Sequence, residues 1–221
     1  MKNKNKPPMF SIKYLAHDIV KVLCFLLGLP MFLYQRPKIL FENKKAQKHI
    51  RGGAILIANH LGFFDPIYMM IAIWYRRHHF ICLKKFFEGK SRPFFKAFLC
   101  LPIDKNNVSF GSFREIVEHI KQGELVSMFP EGAVNDGSGE TATFKSGVTL
   151  MAFQGKVPIV PMYIKKKEHW YERLTMVIGE PIDDFSNPEA KMNFGLIDKI
   201  TEKLQNKESE LEALVKREKN K

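Results

Sequence analysis

The architecture is decided by one stretch: Gly52-Gly53-Ala54-Ile55-Leu56-Ile57-Ala58-Asn59-His60-Leu61-Gly62-Phe63-Phe64-Asp65-Pro66. Five apolar residues follow two glycines, and a short run with no polar alternation is the mark of a strand covered on both faces. Similar runs lie at Phe80–Leu83, Leu125–Phe129, Pro158–Tyr163 and Leu174–Ile178. The intervals between them suit helices at about 66–76, 91–99, 109–122, 143–154 and, long and polar, 188–218. Alternation of this kind predicts an α/β fold, a mostly parallel sheet flanked by helices, within the size of one ordinary domain. Open sheets of that type bind ligands beyond the carboxyl ends of their strands.

The 221 residues are 45% hydrophobic and 26% charged, which excludes both global disorder and a chain with many membrane spans. The net charge of +12 is concentrated: residues 1–51 hold nine Lys and two Arg against Asp18 and Glu42. Within that basic stretch Val22–Tyr34 carries no charge, and Lys13, Lys21, Arg36 and Lys38 flank it. An apolar run between cations suits an anionic bilayer surface. Spanning takes about 20 apolar residues, so a helix lying in the interface or dipping partway is expected. Residues 1–36 are thus predicted to be a membrane-associated helical segment preceding a domain at 37–221, on the cytoplasmic face of the cell membrane. A signal peptide and a buried core helix are the rival readings, although no Ala-x-Ala-like site follows Tyr34. Cys24, Cys82 and Cys100 form neither a CxxC pair nor a disulfide framework, which fits a reducing compartment.

Two strand ends carry unusual chemistry. His60 comes as its strand closes, and Asp65 follows after a Gly62-containing segment. On a continuous helix the two would stand about 140° apart, so only a turn brings them together. A carboxylate on Nδ1 would fix the tautomer and leave Nε2 to accept a proton as a general base. Asp65-Pro66 reads equally as a helix N-cap with proline at N1. The second strand end, Met128-Phe-Pro-Glu131-Gly132, enters a turn-rich loop that also reads as plain surface. Leu101-Pro-Ile-Asp104-Lys105 offers a cation for phosphate or a solvated ion pair. Val157-Pro-Ile-Val-Pro161, with two prolines in an apolar run, suits an edge strand or a groove wall.

Together these blocks resemble the glycerophospholipid acyltransferase family over roughly residues 35–185. Asn59-His60-x4-Asp65 is similar to its His-x4-Asp signature; Leu101–Lys105, Phe129-Pro-Glu131-Gly132, Phe144-Lys145-Ser-Gly147 and Val157–Pro161 follow in the family's order, and Ile178-Gly-Glu-Pro-Ile182 is similar to its closing strand. The resemblance implies acyl transfer from a thioester, on acyl-carrier protein or coenzyme A, to the hydroxyl of a lysolipid, with lysophosphatidic acid (1-acyl-sn-glycerol-3-phosphate) the first choice. It implies His60 as base held by Asp65, Lys105 at the acceptor phosphate, Glu131 and Gly132 shaping the acceptor site, and Pro161 on a strand lining the acyl channel. It implies no cofactor and no metal. Where the family commonly continues Thr-Arg-Ser, this chain has Ala133-Val134-Asn135. Lysine replaces the usual arginine at 105, so a bidentate fork is lost, and Lys145 is a candidate to compensate. A lyso-amino-acid lipid acceptor and a non-catalytic lipid-binding relative stay open as alternatives.

Other classes fit less well. A nucleic-acid-binding module would use the charge, yet only Trp74-Tyr75-Arg-Arg-His-His79 mixes aromatics with cations, so no nucleic-acid partner is expected. A metal hydrolase could draw on His60, Asp65, His78, His79 and Glu131, but no HxxEH-type spacing is present. His78 and His79 would also point to opposite faces of a strand.

Overall fold

The computed structural model describes residues 14–104, 109–130, 143–167, 169–185 and 194–219. In chain order the elements are α1 (Leu15–Leu27), α2 (Leu29–Gln35), β1 (Lys38–Phe41), β2 (Ala54–Ala58), α3 (Asp65–Ala72), β3 (His78–Leu83), α4 (Arg92–Ala97), β4 (Leu101–Ile103), α5 (Phe110–Lys121), β5 (Leu125–Met128), α6 (Thr143–Gly155), β6 (Ile159–Lys165), β7 (Thr175–Ile178) and α7 (Phe194–Lys219). Two short 3-10 turns, Lys84–Phe87 and Gly89–Ser91, separate β3 from α4.

The strands form one sheet in the order β1-β7-β6-β2-β5-β3-β4. Every pairing is parallel except β6 with β7. β2 sits at the centre between β5 and β6, and its five residues are all buried. Their alternation divides the core. Ile55 and Ile57 join Ile116, Val117 and Ile120 of α5, Val148 and Met151 of α6, and Ile200 and Leu204 of α7. Ala54, Leu56 and Ala58 face Tyr68, Met69 and Met70 of α3, with Val20, Cys24 and Met31 of the first two helices beyond. Each fully buried Ile or Leu is worth about 1.5–3 kcal/mol, so the central strand needs apolar residues on both sides.

Local chemistry sets the helices. Ser109 caps α5, its Oγ accepting the Ser112 amide at 3.1 Å, and Phe113, Ile116, Val117 and Ile120 then fall on one face at helical spacing. Gly53 admits β2 beneath α5: a Cβ there would lie 2.1 Å from the Ile120 carbonyl oxygen. Arg76 ties the same corner, donating to the carbonyls of Ile50, Gly52 and Gly123 at 2.9 Å each.

The apolar run read at 22–34 is part of a longer two-helix segment that starts at Leu15 and bends by 58° at Gly28. Among the described residues no single helix is long and apolar enough to cross a membrane; the bent pair reaches that length and composition only together. Arg77 grips Asp18 of α1 through two bonds of 3.0 and 2.8 Å. His17 Nδ1 lies 3.0 Å from the Ala97 carbonyl. At the start of the segment Tyr14 donates to Glu124, just before β5; at its end Gln35 accepts the Leu174 amide and Lys167 donates to the Tyr34 carbonyl. The segment therefore runs beside the sheet from its amino pole to its carboxyl pole. Leu15, Ile19, Val22, Leu23, Leu26, Leu27, Leu29 and Leu33 remain exposed along it.

β6 is an interior strand, not the edge its prolines suggested. Pro161 falls where the partner of β6 is interrupted, between the Ile159–Ile182 bridge and the β7 ladder that begins at Met162–Ile178, so its missing N–H removes no ladder bond. The Pro161 carbonyl instead accepts the Gly179 amide at 2.8 Å, and Gly179 has no room for a side chain because a Cβ would meet the Pro161 ring at 2.8 Å. Strand β3 begins at His78, two residues before the apolar run, and β1 was not foreseen.

Candidate active site

His60 stands just past the carboxyl end of the central strand. The strand is held beyond Ala58 by the side chain of Asn59, which is buried and acts as a peptide mimic: its Oδ1 accepts the Ile164 amide at 2.7 Å and its Nδ2 donates to the Ile164 carbonyl at 3.0 Å. Those two bonds lock β2 to β6 one residue before the imidazole. The chain then turns, with the Asp65 amide donating to the Gly62 carbonyl at 3.1 Å.

Asp65 is fully buried at the first residue of α3, and a single oxygen does its work. Oδ2 lies 3.0 Å from His60 Nδ1, 2.5 Å from the Leu61 amide and 2.6 Å from the Gly62 amide. The required turn is therefore present and closed by the carboxylate itself. The N-cap reading is corrected: position Ncap belongs to Phe64, and Asp65 bonds backward into the turn rather than forward onto the helix amides. With Nδ1 engaged, Nε2 is the nitrogen left for chemistry, and the side chain is 20% exposed.

Sequence reasoning missed two neighbours. Phe129, immediately after β5, stacks on His60 with ring centroids 4.1 Å apart and planes 14° from parallel. It packs on one face of the ring while Asp65 holds the Nδ1 edge; its place next to Pro130-Glu131 was the available signal. Lys166, just past β6, donates to the Leu61 carbonyl, which places a cation over the turn. Phe63, Phe64, Trp170 and Tyr171 are exposed in the loops that follow β2 and β6.

Of the remaining sequence-predicted positions, Lys105, Glu131 and Gly132 lie outside the described residues, as does the side chain of Lys145 on α6. Pro161 is buried, one strand away from His60 and level with Ile57 in the β2 register. In the basic and aromatic stretch at 74–79 Trp74 is exposed, while the cations and His78 are committed internally. Arg76 and Arg77 hold the carbonyls and the Asp18 pair already described, and His78 lies buried between Ser127 Oγ at 2.8 Å and the Ile73 carbonyl at 3.1 Å. Burial pushes the His78 imidazole down to about 3, so it is neutral.

Comparison with known proteins gives the class that this fold and site define: the chain is an acyltransferase. It belongs to the Acyltransferase family, whose profile matches residues 38–165. Among its relatives is the 1-acyl-sn-glycerol-3-phosphate acyltransferase of Bacillus subtilis (strain 168), 27% identical over 168 residues, covering 72% of this chain and 81% of that one. The protein of the same name from Streptococcus pneumoniae (strain ATCC BAA-255 / R6) is 28% identical over 159 residues, covering 68% of this chain and 57% of that one. The fold is similar to the crystal structure of the 1-acyl-sn-glycerophosphate acyltransferase of Thermotoga maritima, with a TM-score of 0.60, 21% identity, and coverage of 93% of this chain and 83% of that chain.

Proposed function

We propose that the enzyme moves a fatty acyl group from acyl-carrier protein or acyl-CoA to the free hydroxyl of a lysolipid, with 1-acyl-sn-glycerol-3-phosphate as acceptor and phosphatidic acid as product. The observation that carries the reading is the His60 ring, held at Nδ1 by Asp65 and braced by Phe129, at the carboxyl pole of the central strand. The names borne by relatives at 27% and 28% identity support the choice of acceptor.

In this mechanism His60 Nε2 takes the acceptor's hydroxyl proton as the oxygen attacks the thioester carbonyl. The tetrahedral oxyanion collapses, the C–S bond breaks, and the thiolate leaves with the proton carried by His60. Asp65 stabilises the imidazolium formed on the way. Lys105 meets the acceptor phosphate, Glu131, Gly132 and Lys145 shape the acceptor site, and the strand carrying Pro161 flanks the acyl channel. Residues 1–36 hold the domain, residues 37–221, on an anionic membrane at its cytoplasmic face, so that neither amphiphilic substrate has to cross water. The exposed leucines of α1 and α2, together with Phe63, Phe64, Trp170 and Tyr171, support that placement.

A specific observation favours a second acceptor class. Val134 stands where the family commonly has an arginine, and position 105 is lysine, so the anion site is weaker and suits a lysolipid with a different head group, such as a lyso-amino-acid lipid. Membranes bearing wild-type protein or His60→Ala, given labelled donors with lysophosphatidic acid and other lysolipids in parallel, test both. Product from wild type falling about a thousandfold in the variant is expected. Equal background from both proteins on every acceptor would sink the catalytic reading in favour of a non-catalytic lipid-binding relative.

A further inference from the structure

The opposite pole of the sheet carries a second cluster that the acyl-transfer reading leaves unused. His79 stands in β3, His119 in the last turn of α5, and Glu124 in the corner leading to β5. Glu124 Oε2 lies 3.1 Å from His79 Nε2 and 2.5 Å from His119 Nδ1. The three ligand atoms all lie within 4.8 Å of one another. His79 and Glu124 are buried and His119 is partly so. Glu124 does not choose its position freely, because its other oxygen accepts the Tyr14 hydroxyl at 2.5 Å.

We propose that His79, His119 and Glu124 form a binding site for one divalent ion of the zinc class. Two imidazole nitrogens and one carboxylate oxygen are a donor set that zinc takes in three-ligand sites, leaving one position open. Tetrahedral bonds of roughly 2.0–2.2 Å hold ligand atoms about 3.3–3.6 Å apart, so the Glu124 oxygen has to draw back from the imidazoles it now touches at 2.5 and 3.1 Å while any wider separation within the 4.8 Å span closes, shifts of up to about 1 Å that side-chain rotation can supply. The Tyr14 bond on Oε1 orients the carboxylate as outer partners of metal ligands do. Arg77, which lies over the Tyr14 ring beside the cluster, is already paired with Asp18 through two bonds. A cleft of about 740 Å³ reaches the cluster, with Tyr14, His79 and His119 in its wall and Lys84, Arg92 and Lys96 farther along, and it offers a path for the ion and its fourth ligand.

The sequence had pointed away from a metal, because His78 and His79 face opposite ways. They do so here, and His79 finds its companions on the α5–β5 corner instead. An ion at this place would fasten β3, α5 and, through Glu124 and Tyr14, the beginning of α1. The inference is independent of the acyl acceptor and of His60.

The test uses the full chain in detergent, stripped with a chelating resin and reloaded with zinc, with bound metal counted by mass spectrometry after desalting. About one zinc per chain is expected in wild type and in His60→Ala, and a tenth or less in His119→Gln and Glu124→Gln. Saturating zinc should raise the wild-type Tm by roughly 5 °C or more and leave that of His119→Gln unmoved. Circular dichroism confirms the fold of each variant, and cobalt absorption of the wild type, reporting nitrogen ligation without any substitution, covers a variant that fails to fold. A wild type that retains neither zinc nor cobalt, or zinc whose stoichiometry survives both substitutions, overturns the proposal.

Discussion

One oxygen atom of Asp65 both orients His60 and closes the turn on which His60 is carried. The 3.0 Å contact to Nδ1 shares Oδ2 with the amides of Leu61 and Gly62. Geometry and tautomer therefore depend on the same atom.

Asp65→Asn separates the two roles. The amide oxygen can still accept the backbone donors and preserve the turn, while the loss of charge removes support for the imidazolium. Acyl-transfer kcat is expected to fall about 10³–10⁴-fold with the Tm little changed, read in a membrane transfer assay beside a melting curve. A fall of less than tenfold would remove Asp65 from the mechanism.

Gly53 and Gly62 make a contrasting pair. Alanine at 53 drives its Cβ to 2.1 Å from a backbone oxygen that cannot move without shifting α5, whereas at 62 the obstruction is the Nζ of Lys166 at 2.8 Å, the end of a flexible chain. Gly53→Ala should cost about 3 kcal/mol or more and Gly62→Ala about 1 kcal/mol or less. Denaturant midpoints of the two variants check the order.

Acid should destabilise the metal-free protein over two pH ranges. Burial holds the His78 pKa down to about 3, so below pH 6.5 the unfolded chain takes a proton that the native chain refuses. Burial lowers His17 as well, in the same direction. Stability present above pH 6.5 is thus lost as pH falls toward 3, by roughly 1.4 kcal/mol per pH unit for each proton. Burial would raise the Glu124 carboxyl, but the His119 bond, the nearby His79 and the Tyr14 hydroxyl outweigh it and hold the group down to about 2. Its share is present above pH 4.5 and disappears between 4.5 and 2. Urea midpoints measured in EDTA from pH 7.5 to 3.5 should fall monotonically, and His78→Gln should flatten the upper part of the slope. A flat profile between pH 6.5 and 5 would contradict the assignment.

Leu26 and Leu27 lie on the exposed side of α1. Replacing both by Asp should cut binding to anionic vesicles at least tenfold in flotation experiments, while a melting curve stays within about 0.5 kcal/mol of wild type because neither side chain is buried. Unchanged flotation would remove the leucine face of α1 from any role in membrane binding.

Much of this was legible in the sequence because it is local. Ala54–Ala58 announces a strand covered on both faces by its composition alone, and the five-residue interval from His60 to Asp65 demands a turn. β1 was not legible: four residues, three of them half-buried and one exposed, carry no periodicity, and what makes them a strand is pairing with β7. The interior place of Pro161 depends on where β7 breaks off at Gly179, which no window around residue 161 contains. Phe129 was quoted as part of a block, yet its stacking on His60 follows from β5 lying beside β2. Glu124 and His119 stand forty residues and more beyond His79, and only the β3–β5 register brings them together.

The sheet begins with a strand that must wait. Lys38–Phe41 is made well before its hydrogen-bonding partner Thr175–Ile178, and Lys38 is further tied to Glu218 near the end of α7. During translation the two N-terminal helices therefore exist for a long interval without the strand register that will fix their far end. Contacts so distant along the chain slow the final closure. The order of synthesis thus leaves the exposed leucine face of the first two helices without its far-end anchor until the sheet closes.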